Sequence, residues 1–241
     1  MLKFKLIVLG LFLTSFLASQ NDYIHKQIGN IPILLSAPHG GEYKPKQIKD
    51  RTGEGFKVSS DDNTKEILLE TGKQLEKIWG IPNYVYSNLH RSKLDFNRSI
   101  LEATDTNKLL VSLYNSYHDF IKKSSLKYKS KLLVIDIHGH THPENMIELG
   151  YGVFSFDSTQ LGNKSFGYLF NKKYGRAICY PPANVIPTLY FTGGYITQTI
   201  YNDELHIQIE LPKTLRTKSN IKTISKSLAN TIYEFYKLNF K

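Results

Sequence analysis

The chain has 241 residues, a formal net charge of +10 at pH 7, 41% hydrophobic residues and 22% charged ones. That length supports one domain with a sizeable core, and that composition excludes an intrinsically disordered chain. A single cysteine excludes an intrachain disulfide framework. The lysines are scattered rather than gathered in a patch with interleaved aromatics, which argues against a nucleic-acid binder.

Residues 1–20 open with Lys3 and Lys5, continue in an apolar run over 6–17, and end in the small pair Ala18-Ser19. This is the pattern of a secretory signal peptide, and the run is short for a membrane span. The expectation is a signal peptide over 1–20, a mature domain over 21–241, and a secreted or periplasmic protein without stable membrane insertion after cleavage. An uncleaved N-terminal anchor is the alternative.

Tyr23 and Ile24 suggest an edge strand, and the short apolar run over 31–35 predicts a strand buried on both faces. It leads into Ser36-Ala37-Pro38-His39-Gly40-Gly41-Glu42. His39 and Glu42, three apart on a glycine-loosened turn, have a spacing from which an imidazole and a carboxylate can share a divalent ion. A loop follows, and then Ser60-Asp61-Asp62-Asn63 offers caps for a helix over 64–79. Residues 83–87 alternate as a strand. The polar cluster Arg91, Asp95, Asn97 and Arg98 comes directly after it, where α/β proteins place their sites. An arginine fork can grip a carboxylate, an asparagine adds a neutral donor, and Asp95 can orient an arginine.

A helix over 109–123 precedes a second apolar strand over 131–138, which carries Asp136 and His138 on one face. Asp136 reads as an arginine partner or as an acceptor behind a metal-bound histidine. Gly139 suggests a break there, which leaves His140 and His142 as pocket residues rather than ligands. A strand is expected over 147–156, a helix over 161–174 and a short strand over 177–180. Cys179 then lies in an apolar context that suits a small core residue. A proline-marked loop leads to Gly193-Gly194-Tyr195. Residues 205–211 alternate strictly and set Glu210 near a strand end, where a carboxylate is rarely buried without a purpose. Residues 221–238 form a closing amphipathic helix. Alternating strands and helices give a single-domain α/β sandwich of three layers around a mainly parallel, mixed sheet.

The motifs Ser36-Ala37-Pro38-His39-Gly40-Gly41, Arg91-x3-Asp95-x-Asn97-Arg98, Asp136-Ile137-His138-Gly139, Gly193-Gly194-Tyr195 and Gln208-Ile209-Glu210 occur in that order. Together they resemble the N-formylglutamate amidohydrolase family, relatives of the zinc carboxypeptidases and aspartoacylases. The resemblance implies a zinc-peptidase-like (phosphorylase/hydrolase-like) fold and a hydrolase acting on amide bonds with one zinc ion. It places His39, Glu42 and His138 on the metal ligands, Glu210 on the general acid/base, and Arg91 on the arginine near the reacting carbonyl. It also places Asn97 and Arg98 on the carboxylate-binding pair, with Asp95 beside them and Gly194 and Tyr195 at a pocket wall. The export signal points away from formylglutamate, a cytosolic intermediate. It points instead to an N-acyl amino acid, a short peptide or an acidic polymer. A non-catalytic binder of acidic peptides or glycans on the same fold is the alternative.

Overall fold

The computed structural model of the chain describes residues 22–142, 146–152, 162–174, 179–180, 191–199, 201 and 203–240. Its strands are β1 (Ile24–Gln27), β2 (Ile33–Ala37), β3 (Asn83–Ser87), β4 (Leu133–His140), β5 (Ile147–Gly150), β6 (Cys179–Tyr180) and β7 (Leu205–Pro212). Its helices are α1 (Thr64–Ile78), α2 (Ile100–Thr104), α3 (Lys108–Tyr128), α4 (Phe166–Tyr174), α5 (Tyr195–Gln198) and α6 (Ile221–Asn239). The strands form one sheet in the order β1-β3-β2-β4-β7-β5-β6. The β3-β2, β2-β4, β4-β7 and β5-β6 pairs are parallel, while β1-β3 and β5-β7 are antiparallel.

Alternation along each strand sorts the residues between the two faces. Ile33, Leu35, Leu133, Ile135, Ile137, Ile207, Ile209 and Leu211 all face one layer, built from α1, α4 and α6. Those helices meet the sheet with apolar stripes, Ile67, Leu68 and Leu75 on α1 and Ile224, Leu228, Ile232 and Phe235 on α6. The opposite face receives Leu34, Val85 and Val134 under Leu113, Tyr117 and Ile121 of α3. The start of α3 is closed by Asn107, whose side-chain oxygen accepts the N–H groups of Leu109 (3.0 Å) and Leu110 (3.2 Å). Helices on both faces of the sheet make the expected three-layer α/β sandwich.

Toward the strand ends this second face turns polar. Parallel register sets Asp136 opposite Gln208 and His138 opposite Glu210, and the antiparallel β5 adds Glu148 opposite Glu210. One row across three strands therefore holds His138, Glu210 and Glu148.

Two expectations need correction. β4 does not break at Gly139; it pairs with β7 through Gly139 and His140. The glycine is there for close packing, since a Cβ at this position would run into the guanidinium of Arg216. The helix expected over 161–174 starts only at Phe166. The leader, residues 153–156 of the expected strand, Leu161, most of the proline-marked loop and the side chain of Cys179 lie outside the described residues. Among the described residues no helix is long and apolar enough to cross a membrane.

Candidate active site

β2 delivers His39 just past its end. Gly40 follows because the first turn of α1 packs against it; a Cβ there would sit 2.6 Å from the backbone N of Lys65 and from Thr64 Oγ1. The loop between Tyr43 and Ser60 returns the chain to this point, where the Asp61 N–H bonds to the His39 carbonyl at 3.0 Å. Asp61 was expected as a helix cap. Its carbonyl oxygen does accept the Thr64 hydroxyl (2.8 Å), but its carboxylate turns inward.

The result is a buried cluster of His39, Asp61 and His138. Asp61 Oδ2 lies 3.3 Å from Nδ1 of His39 and 3.3 Å from Nδ1 of His138, and the two rings meet edge-on at 4.7 Å. Each ring is anchored at its other nitrogen by a carboxylate. Asp95 Oδ1 is 2.6 Å from His39 Nε2, and Asp136 Oδ2 is 2.8 Å from His138 Nε2. A carboxylate behind each imidazole fixes the ring and turns both Nδ1 atoms toward the Asp61 oxygen, the outer-shell arrangement of a histidine metal site; an ion there would take the place of the protons that now join Nδ1 to Asp61. Two imidazoles and one carboxylate converging on one point are a donor set that zinc takes, so the residues fit the ion the motifs imply.

Glu42 does not belong to this cluster. Its side chain is exposed and lines a neighbouring hollow with Lys44, Asp62 and His90. The glycine turn points it outward, and Asp61 occupies the third position instead. Nothing in local spacing marks Asp61, because its approach depends on the return of a long loop.

The cluster opens into a cleft of about 270 Å³. Arg91, Asn97, Arg98, His140, His142, Gly193, Gly194, Gln208, Glu210 and Arg216 complete its wall. Glu210 is 4% exposed. Burial, with the Asp61 charge adding to it and His138 opposing, pushes its carboxyl up to about 7. Gln208 Nε2 donates to Glu210 Oε1 at 2.8 Å and holds one of its oxygens in place. Burial also acts to raise the Asp61 carboxyl, but bonds to His138 and His39 outweigh it and keep that group ionised. At His138 burial acts to lower the pKa, and Asp136 and Asp61 overturn it, so the imidazole stands well above its ordinary value.

Of the polar cluster after β3, Arg91, Asn97 and Arg98 line the cleft. Arg91 donates through Nε to Asp95 Oδ2 at 2.8 Å and brings Nη1 to 3.9 Å from Asp61 Oδ1. Asp95 is fully buried beneath His39, so it anchors His39 and Arg91 rather than facing the cleft. The Asn97 amide accepts from Ile196 N at 2.8 Å through its oxygen, and its nitrogen lies 3.3 Å from His138 Nε2 and 3.4 Å from Gln208 Oε1. It thus ties the start of α5 to the polar face. Gly194 reaches the cleft and donates its N–H to Gln208 Oε1 at 2.6 Å. Tyr195 turns away and packs edge-on against His118 of α3 at 5.7 Å.

Arg51 and Arg216 were not singled out from the sequence. Arg51 reaches Asp95 Oδ2 at 3.4 Å from Nη1, and Arg216 donates to the carbonyls of Leu211 (3.0 Å), Asp62 (2.6 Å) and His140 (3.3 Å). A buried arginine bonded to three carbonyls stitches the ends of β4 and β7 to the loop that carries Asp61.

No family model matches the sequence, and no curated protein matches it. By structure the chain is similar to N-formylglutamate amidohydrolase from Ralstonia eutropha JMP134, with a TM-score of 0.61 at 10% identity, over 90% of this chain and 98% of that one. It is also similar to the gene product Atu2144 from Agrobacterium tumefaciens, with a TM-score of 0.60 at 13% identity, over 92% and 94% of the two chains. The fold is therefore that of the N-formylglutamate amidohydrolase structure, as the motif resemblance implied.

Proposed function

We propose that the chain is an exported, zinc-dependent amidohydrolase that cleaves the amide bond of a small N-acyl amino acid or peptide-like substrate with a free carboxylate. The observation that carries this reading is the convergence, in one cleft, of the His39–Asp61–His138 donor set with Glu210 and two arginines. The leader pattern over 1–20 supports export.

Zinc held by His39, Asp61 and His138 would supply Lewis acidity toward a carbonyl and a water. Glu210, with a carboxyl near 7, is poised to accept the proton of an attacking water and return it to the leaving amine. Gln208 keeps Glu210 directed into the cleft. Arg91, fixed by Asp95 beside Asp61, places positive charge where an oxyanion would develop. Arg98 offers a fork for the substrate carboxylate, its own Nη1 bonded to the Asn97 carbonyl at 2.9 Å. The small cleft volume favours a compact substrate end over a bulky one.

The test is a panel of N-acyl amino acids and short peptides, each as the free acid and as the carboxamide, incubated with zinc-loaded and chelator-treated protein. Amine release from the free acids is expected, lost on chelation, with kcat/KM at least about tenfold lower for the carboxamides. Absence of amine release across the panel would overturn the reading.

A further inference from the structure

We propose that His140, His142 and Glu148 form a second divalent-cation site in the same cleft. The observations are independent of the amide-hydrolysis reading, and the two sites share no ligand. Among the described residues these three form the second group whose ligand atoms all lie within 4.8 Å of one another.

The layout repeats the division of labour seen at the first cluster. His140 sends Nε2 to the Met146 carbonyl at 2.7 Å. Only an N–H satisfies a carbonyl, so the Nδ1 of His140 bears the lone pair. That nitrogen lies 3.8 Å from Glu148 Oε1, and His142 Nδ1 lies 2.7 Å from the same oxygen. Glu148 Oε2 accepts the Phe191 N–H at 3.2 Å, which leaves Oε1 facing the two rings. The His142 ring is held flat against Phe191, 5.1 Å away and 5° from parallel. One carboxylate oxygen between two imidazoles is also how Asp61 sits between His39 and His138; here His140 and Glu148 are held through their far sides and His142 by its stacking on Phe191.

Tertiary structure makes the site. Because β4 continues through Gly139, His140 stays on the face of His138, while β5 brings Glu148 opposite Glu210 on β7. The Glu148 side chain is 1% exposed, and so is that of His140. A carboxylate this deep needs positive charge or donors nearby. Two imidazoles and a carboxylate suit zinc, cobalt or nickel rather than magnesium or calcium. The site is weaker than the first. Its ion must displace the His142 backbone N–H from His140 Nδ1 at 3.0 Å and the proton through which His142 Nδ1 bonds to Glu148 Oε1 at 2.7 Å, and the His142 side chain is 37% exposed.

Chelator-stripped full-length protein is titrated with zinc alone by calorimetry, with bound metal counted after gel filtration. Two equivalents are expected, one tight and one weaker. His142→Asn should remove only the weaker, and Glu148→Gln should do the same, with circular dichroism unchanged. His138→Ala should remove only the tight one. A single equivalent in the wild-type chain, or a second equivalent that survives both His142→Asn and Glu148→Gln, would overturn the proposal; the pair would then be a hydrogen-bonded wall of the cleft. Two equivalents in His138→Ala would instead sink the first metal site and leave the second standing.

Discussion

The two faces of β4 and β7 are made from alternate residues of the same strands, yet they meet different requirements. One presents Ile135, Ile137, Ile207 and Ile209 to α1 and α6 and is closed by apolar packing alone. The other presents Asp136, His138, Gln208 and Glu210, all buried, and is closed by hydrogen bonds and ion pairs. The apolar face needs only shape and volume to be satisfied, so many sequences would fill it. The polar face needs every partner in place, because a buried charge without one is expensive. A stack of such groups at strand ends beside a cleft is hard to explain as packing, and this separates the site from the core that supports it.

Ile209 and Glu210, adjacent on β7 and pointing to opposite faces, allow the contrast to be broken one side at a time. The largest effect is expected from Glu210→Gln, which should lower kcat by about 10²–10⁴ while tightly bound zinc is retained, measured by turnover and metal content together. Undiminished turnover would remove Glu210 from the mechanism. The same variant has a stability signature in chelated protein. The folded carboxyl titrates at about 7 against an ordinary 4.5. A raised carboxyl contributes stability that is fully present below the unfolded value and is lost as pH rises through the folded one. Wild-type stability should therefore fall between about pH 4.5 and pH 7, and Glu210→Gln should lack that loss. Above pH 7 the variant should gain on the order of 3 kcal/mol over the wild type, read by denaturant melts.

Ile209→Ala should do the opposite. It should cost about 2–5 kcal/mol in denaturant stability and leave kcat of the folded fraction within about twofold, since it removes volume from the apolar face alone. A large fall in kcat without loss of stability would show that the two faces are not separable. The smallest effect is expected at Glu42→Ala. Its exposed side chain lies outside the cluster, so zinc affinity and stability should change little, by about 0.5 kcal/mol or less. Loss of zinc in this variant would restore Glu42 as a ligand in place of Asp61.

Much of this was legible in the chain itself. The strands over 83–87 and 205–211, the second running one residue further to Pro212, and the closing helix were visible because period-2 and period-3.6 patterns are local. His39, His138 and Glu210 stood out because each is a chemically costly residue at the end of an apolar run. Gly139 looked like a strand breaker, but β7 supplied a partner for continued pairing and Arg216 packed against the missing side chain. Asn97 lines the cleft, with its oxygen taken up by Ile196 N and its nitrogen beside His138.

The sequence by itself determined the layer pattern and the strand ends at which chemistry gathers, among them those of His39, His138 and Glu210. Only the tertiary structure decided which carboxylate completes the cluster. Asp61 is brought to His39 by a loop that closes on a backbone bond between those two residues, while Glu42, nearer in sequence, is turned outward by its own glycine turn. It also decided that His140 joins His142 and Glu148, which requires β4 to run past Gly139 and β5 to return antiparallel beside β7. Periodicity along one segment sets the face a side chain points to. Convergence of donors from three segments depends on pairing and loop closure, which no single segment encodes.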